Sequence, residues 1–96
     1  MAITVLINGV DTAVALGDAT SFDITEPTPI LADYMEEGEV ALVYRLGPSG
    51  SYVAATNKNG AIYLSSRPNI ALLEAAGTYK ITKEATANEV YIGYGY

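Results

Sequence analysis

Glu39–Ser65 reads EVALVYRLGPSGSYVAATNKNGAIYLS, and this stretch decides the fold class. In its first arm Val40, Leu42, Tyr44 and Leu46 fall on one face, with Ala41, Val43 and Arg45 on the other. Alternation with period 2 is the pattern of a strand, and because the second face is also apolar until Arg45 the strand is expected in the middle of a sheet. Gly47-Pro48-Ser49-Gly50 follows, with proline where a turn wants a fixed φ and glycine where a bulge can form. Tyr52–Thr56 is the second arm. Asn57-Lys58-Asn59-Gly60 turns the chain again, since Asn and Gly reach left-handed φ at least cost. Ala61–Ser65 is the third arm, so the segment is expected to form a three-stranded meander.

Outward from this core, Ile3–Ile7 reads as a short apolar strand. Asn8-Gly9 is a turn signal, with Ala13–Leu16 as the hairpin partner on return. Ser21–Ile24 is another brief strand. Thr25–Pro29 is extended, because both prolines lack a donor and push their predecessors away from helix. Ile30–Met35 is read as loop, with one or two helical turns or an edge strand as alternatives. Beyond the meander, Pro68, the run Ala71–Ala76 and Gly77 form a helix signature. A strand from Ile70 to Leu73 competes with it and is preferred, because so short an isolated helix is marginal. Thr78–Thr82 alternates, Tyr79 and Ile81 inward. Glu84–Asn88 turns, and Glu89–Tyr96 is the last strand. Seven to nine short strands with no convincing long helix sum to an all-β domain, a small antiparallel β-sandwich or partly open barrel. Residues 1–96 are read as one domain: acidic strands and loop over 1–38, the meander over 39–65 and closing strands over 66–96.

Composition excludes much chemistry. The chain has no Cys, His or Trp. Ser-His-Asp or Cys-His catalysis, disulfides and thiolate or imidazole zinc sites are therefore impossible. Gly47–Gly50 lacks the Lys-Ser/Thr of a phosphate loop. Asp33, Glu36, Glu37 and Glu39 are crowded, but their spacing fits no calcium loop and solvated acids are the default reading. No catalytic residue, cofactor or metal is assigned. Net charge is −6. It is split unevenly: residues 1–44 hold eight acids and no base, residues 45–96 three acids and five bases. Five bases neutralise few phosphates, so nucleic acid is not an expected partner. The acidic half reads either as a solvated loop system or as a patch that meets a basic patch on a neighbour. No 18-residue apolar run occurs, so no membrane span is expected. MAITVLINGVD lacks the positive start of a signal peptide, which points to synthesis in a cytoplasm.

Eight tyrosines against one phenylalanine suit half-buried strands and interfaces. They concentrate in the C-terminal EVYIGYGY. Val90, Ile92, Tyr94 and Tyr96 share one face; Glu89, Tyr91, Gly93 and Gly95 share the other, where bare backbone lets a neighbour approach closely. Three readings stay open: a last strand closing its own sheet, a strand pressed against another subunit with tyrosine anchors, and a sugar platform. Tyr91, Tyr94, Tyr96, Gly93 and Gly95, with Tyr34 and Met35, form the candidate interface with another subunit.

The run VALVYRLGPSGSYVAATNKNGAIYLSS, followed by LLEAAGTYKITKEATANEVYIGYGY, resembles small structural proteins of tailed bacteriophages. The likeness spans Glu39 to Tyr94 and rests on turn and core signals. It implies a non-enzymatic virion protein on the head surface, made in the host cytoplasm: a capsid decoration or cement protein bound to the major capsid protein. It also implies a homo-oligomer, a trimer before other symmetries, because symmetry multiplies weak contacts. The alternative it allows is a carbohydrate- or receptor-binding tail or fibre module.

Overall fold

The structure is a computed structural model and describes residues 3–95. Its strands are β1 (Ile3–Val10), β2 (Phe22–Ile24), β3 (Thr28–Asp33), β4 (Val40–Leu46), β5 (Tyr52–Ala54), β6 (Thr56–Asn57), β7 (Gly60–Ala61), β8 (Tyr63–Ser65), β9 (Ile70–Leu73), β10 (Gly77–Lys83) and β11 (Val90–Gly95). One 3-10 turn, Leu16–Asp18, interrupts them. Every pairing is antiparallel.

Sheet I has the order β1-β11-β3-β9, and sheet II the order β2-β10-β4 with β5 and β8 both on the far side of β4. If β5 and β8 count as one interrupted strand, each sheet has four strands and the chain alternates between them except at the β4–β5 hairpin, which stays in sheet II. That is the connectivity of a jelly roll, an all-β sandwich. Side chains of the two inner faces form one buried cluster, among them Ile30, Leu64, Leu73, Ile92 and Val90. An aromatic column joins the sheets. Phe22 of sheet II stacks on Tyr94 of sheet I at 4.5 Å and on Tyr79 at 6.0 Å, and the Tyr79 hydroxyl donates to the Ala75 carbonyl at 2.6 Å.

β4 lies inside sheet II, as its two apolar faces imply. The inward face is the smaller one: Ala41 and Val43 are buried, while Leu42 is 48% exposed. The tight turn at Gly47–Gly50 forms, with the Gly50 N–H donating to the Gly47 carbonyl at 3.0 Å and Gly50 at φ +86. The third arm pairs with the second only at their tips, however, through Thr56↔Ala61 and the Ile62 N–H on the Ala55 carbonyl. β8 pairs with the start of β4 (Val40↔Ser65, Leu42↔Tyr63) and β5 with its end (Tyr44↔Ala54, Leu46↔Tyr52), so both lie along one edge of β4. Between them the chain leaves the sheet as a β6–β7 ribbon and returns, with Ala55 and Ile62 buried at its root. The expected meander is therefore a hairpin with an interrupted second strand. The turn residues Asn57–Gly60 serve the ribbon.

Two further expectations change. Asn8-Gly9 is not a turn: β1 runs through it, and the register with β11 slips at Leu6 and again at Gly9, whose φ is +67. A glycine in left-handed conformation serves a bulge as well as a turn. The segment Ala13–Leu16 does not pair with β1; Val14 bridges to Lys83 of β10. Ile30–Met35 is loop only at Tyr34 and Met35; Ile30–Asp33 belongs to β3, which sits between β11 and β9 with Ile30 fully buried. Pro29 fits there because its pairing to β9 continues while that to β11 ends at Ile30↔Tyr94. A strand proline is tolerated where no ladder bond is lost. The preferred strand at Ile70–Leu73 forms, as do the inward positions of Tyr79 and Ile81.

The sheet edges are all blunted. β1 is bulged, β2 has three residues, and the β5–β8 edge is interrupted. The ribbon reaches β9, where Asn57 Nδ2 donates to the Leu72 carbonyl and the Lys58 N–H to Glu74 Oε1, both at 3.2 Å. Such devices keep open edges from pairing with other chains.

Candidate interaction surface

Pairing in sheet I aligns alternate residues from four strands on its outer face: Ile3 and Val5, then Gly93 and Tyr91, then Leu31 and Asp33, then Ile70 and Leu72. Ile70 is 54% and Val5 51% exposed, and Ile3, Leu72 and Tyr91 are open as well. Asp33 is the single charged side chain among them. A shallow hollow of about 120 Å³ lies between β1 and β3 on this face, over Gly93.

Tyr91 is the anchor of the rim. Its ring lies over the bulge, where a Cβ on Gly9 would sit 3.0 Å from Tyr91 Oη, and meets Tyr34 edge-on at 5.9 Å. Tyr34 is 67% exposed and has φ +73, a conformation that turns the chain out of β3 and lays the ring beside Tyr91. Gly93 is where bare backbone matters: a Cβ there would lie 2.6 Å from the Thr4 carbonyl oxygen. The close neighbour is β1 of the same chain, so Gly93 closes its own sheet.

The other residues singled out from the sequence separate. Tyr94 points inward onto Phe22, Met35 is buried in the core cluster, and Gly95, at φ +117, ends β11 opposite Ile3. Tyr96 lies outside the described residues. Tyr91 and Tyr34 thus come together on an outer surface with Gly93 nearby, while Tyr94 and Met35 do not join them. Ile3, Val5, Leu31, Ile70 and Leu72 were not legible as surface partners, since only the strand pairing puts them side by side.

The charges gather at one end. The loops after β1, β3 and β8 and before β11 all lie at the end of the sandwich where β10 meets the start of β4. With the adjoining strand ends they hold Asp11, Asp33, Glu36, Glu37, Glu39, Glu84 and Glu89 against Arg67 and Lys83, while Asp18 lies further along β10, past Leu16, whose carbonyl Lys80 holds. Five of the six net negative charges therefore sit there, and the remaining four acids and three bases nearly cancel. These loops are knitted. Glu39 accepts the Glu36 N–H at 2.8 Å and the Ala87 N–H at 2.7 Å, and these bonds, Glu36 first, hold its carboxyl below the usual carboxylate range. Asn88 Nδ2 donates to the Tyr34 carbonyl and to Glu36 Oε2, and the Thr86 N–H donates to the Asp11 carbonyl. Lys83 is buried, donating through Nζ to the Thr12 carbonyl at 2.7 Å and the Glu84 carbonyl at 3.0 Å. Burial pushes its ammonium below the usual lysine range, against the opposing pull of Asp11 and Glu39. Among the described residues no three acids converge on a cation site.

The outer face of sheet II differs. Leu42, Tyr44, Tyr52 and Tyr63 lie on it with Thr82 and Lys80, whose Nζ stands 4.8 Å over the Tyr52 ring and donates to the Leu16 carbonyl. A cleft of about 360 Å³ is walled there by Val14, Ala15 and Leu16 on one side and Leu42 and Tyr44 on the other. No protein-family model, curated protein or solved structure matches the chain.

Proposed function

We propose that this is a non-enzymatic structural protein of a bacteriophage virion, a capsid decoration or cement protein that acts as a homo-oligomer on the major capsid protein. The observation that carries this reading is the outer face of sheet I, apolar and almost uncharged, on a sandwich whose edges are all blunted. Contiguous apolar surface of that kind is characteristic of an assembly contact. The carboxylates fit it too, because Glu36 and Glu39 hold loop N–H and amide donors. Jelly rolls occur in viral capsid domains and also in lectins, so the topology serves this role without specifying it. Quantitative mass spectrometry of purified particles tests the reading. Hundreds of copies per particle are expected, and absence from particles overturns it.

A second reading, a carbohydrate- or receptor-binding tail or fibre module, draws on the outer face of sheet II. Tyr63 is exposed there, and Tyr52 lies beneath Lys80 beside a cleft. It is expected to show tens of copies or fewer and glycan-array binding that Tyr63→Ala abolishes.

A further inference from the structure

We infer that the outer face of sheet I is covered by the same face of a second copy of this chain, the two sheets crossing with their strands antiparallel about a two-fold axis. This deepens the homo-oligomer part of the reading above and names its surface; it does not depend on whether the particle is a virion.

Three observations commit the face to this occupant. The first is size. Ile3, Val5, Ile70, Leu72, Tyr91 and Tyr34 together expose on the order of 500 Å², near the top of the roughly 300–600 Å² that a monomer leaves open. That is the larger part of the about 800 Å² a partner contributes to a standard interface. The second is the closure of the edges. β1 carries two bulges, and the Leu72 carbonyl on the open side of β9 is taken by Asn57, so face contact is the available route and strand addition is not.

The third is charge. A second copy brings its own six negative charges, and a parallel arrangement would stack the two acidic ends. Antiparallel crossing sets each acidic end over the nearly neutral remainder of the other copy. The eight residues of β1 span about 26 Å at 3.3 Å per residue. The acidic ends are then some three screening lengths apart at physiological salt, about 8 Å each. Of the residues aligned on the face only Asp33 is charged, at the acidic rim and away from the axis, while one base and one acid, Lys58 and Glu74, stand beside Ile70 and Leu72 at the β9 edge. A contact of like with like also makes one patch self-complementary, which is how two-fold interfaces are built. A trimer, which the resemblance implies, would need two different patches and is not what this face supports.

Sedimentation equilibrium of the purified full chain across micromolar to millimolar concentration is expected to show a monomer–dimer equilibrium. The double substitution Val5→Lys with Ile70→Lys buries unpaired charge and is expected to weaken dimerisation on the order of a hundredfold. Leu42→Lys, on the other outer face, is expected to leave it unchanged. Because the chain has no cysteine, Leu31→Cys gives a single thiol near the centre of the face, and mild oxidation is expected to yield a covalent dimer. This arm decides the matter if the double variant does not fold. A monomer throughout with no cross-link overturns the proposal, as does a trimer. So does a dimer that Leu42→Lys disrupts and the double variant leaves intact. Failure of the particle measurement with a dimer in solution would reject the virion role and retain the interface.

Discussion

The two outer faces of this sandwich are both rich in apolar side chains, yet they are built differently. Sheet I presents four strands side by side and leaves Ile3, Val5, Ile70 and Leu72 open, with the β6–β7 ribbon flanking only the β9 edge. Sheet II presents Leu42, Tyr44 and Tyr63, but the 13–16 segment runs beside them, Val14 bridged to Lys83 and the Leu16 carbonyl held by Lys80. Three tyrosines and the Lys80 ammonium make this face the more polar, whereas on the other the polar groups Asp33, Tyr91 and Tyr34 gather at the acidic rim. Equal hydrophobicity in sequence therefore does not mean equal readiness to bind. What matters is whether the chain supplies its own cover.

The comparison is most easily broken at the base of each sheet. Ile30, fully buried on β3, holds up the face of sheet I from beneath, whereas Leu42 rests on sheet II. Ile30→Ala is expected to cost about 2–5 kcal/mol, a cavity in a close-packed core, and Leu42→Ala within about 0.5 kcal/mol in urea denaturation of the monomer. Similar losses at both positions would mean that β3 is not the central strand described. A smaller effect separates the backbones. Gly93→Ala forces a methyl against the Thr4 carbonyl and Ile3, and is expected to cost about 1–3 kcal/mol by pushing β1 off its neighbour. Ala54→Val, exposed on sheet II, is expected to change stability by less than about 0.5 kcal/mol. Thermal melts of the two variants check this.

The smallest effect belongs to the acidic end, whose segregation leaves the face of sheet I nearly neutral. Glu39 binds protons less tightly folded than unfolded, so its contribution is present above the ordinary value of 4.5 and is lost as pH falls through and below it. Glu39→Gln is expected to flatten the acid limb of a melting-temperature profile and to lower the midpoint slightly at neutral pH. An unchanged acid limb would show that the Glu36 and Ala87 bonds do not tie the loops in solution.

Much of the fold was legible because it depended on side-chain alternation and on turn residues. The antiparallel sandwich, the place of β4, the Gly47–Gly50 turn and the strand at Ile70–Leu73 all follow from those local signals. Asn8-Gly9 misled because left-handed φ at Gly9 satisfies a bulge as readily as a turn, and the partner strand, β11, lies some 80 residues away along the chain. Ile30–Met35 misled because Pro29 argues against a strand unless one knows where the neighbouring ladder stops. The meander misled because nothing local says which arm a third strand will choose. Of the candidate interface, Tyr91 and Tyr34 met on one surface, while Tyr94 and Met35 were claimed by the core. Tyrosine fits either place, and its neighbours decide.

By itself the sequence determined the class of element, the absence of thiol and imidazole chemistry, and the excess of acid in its first half. Those are properties of single residues and near neighbours, and no folding is needed to fix them. Tertiary structure decided which apolar face is covered, that the charge collects at one end, and that β1 closes over Gly93. Each of these depends on strands far apart in the chain being brought to within 5 Å of one another by the sheet ladder.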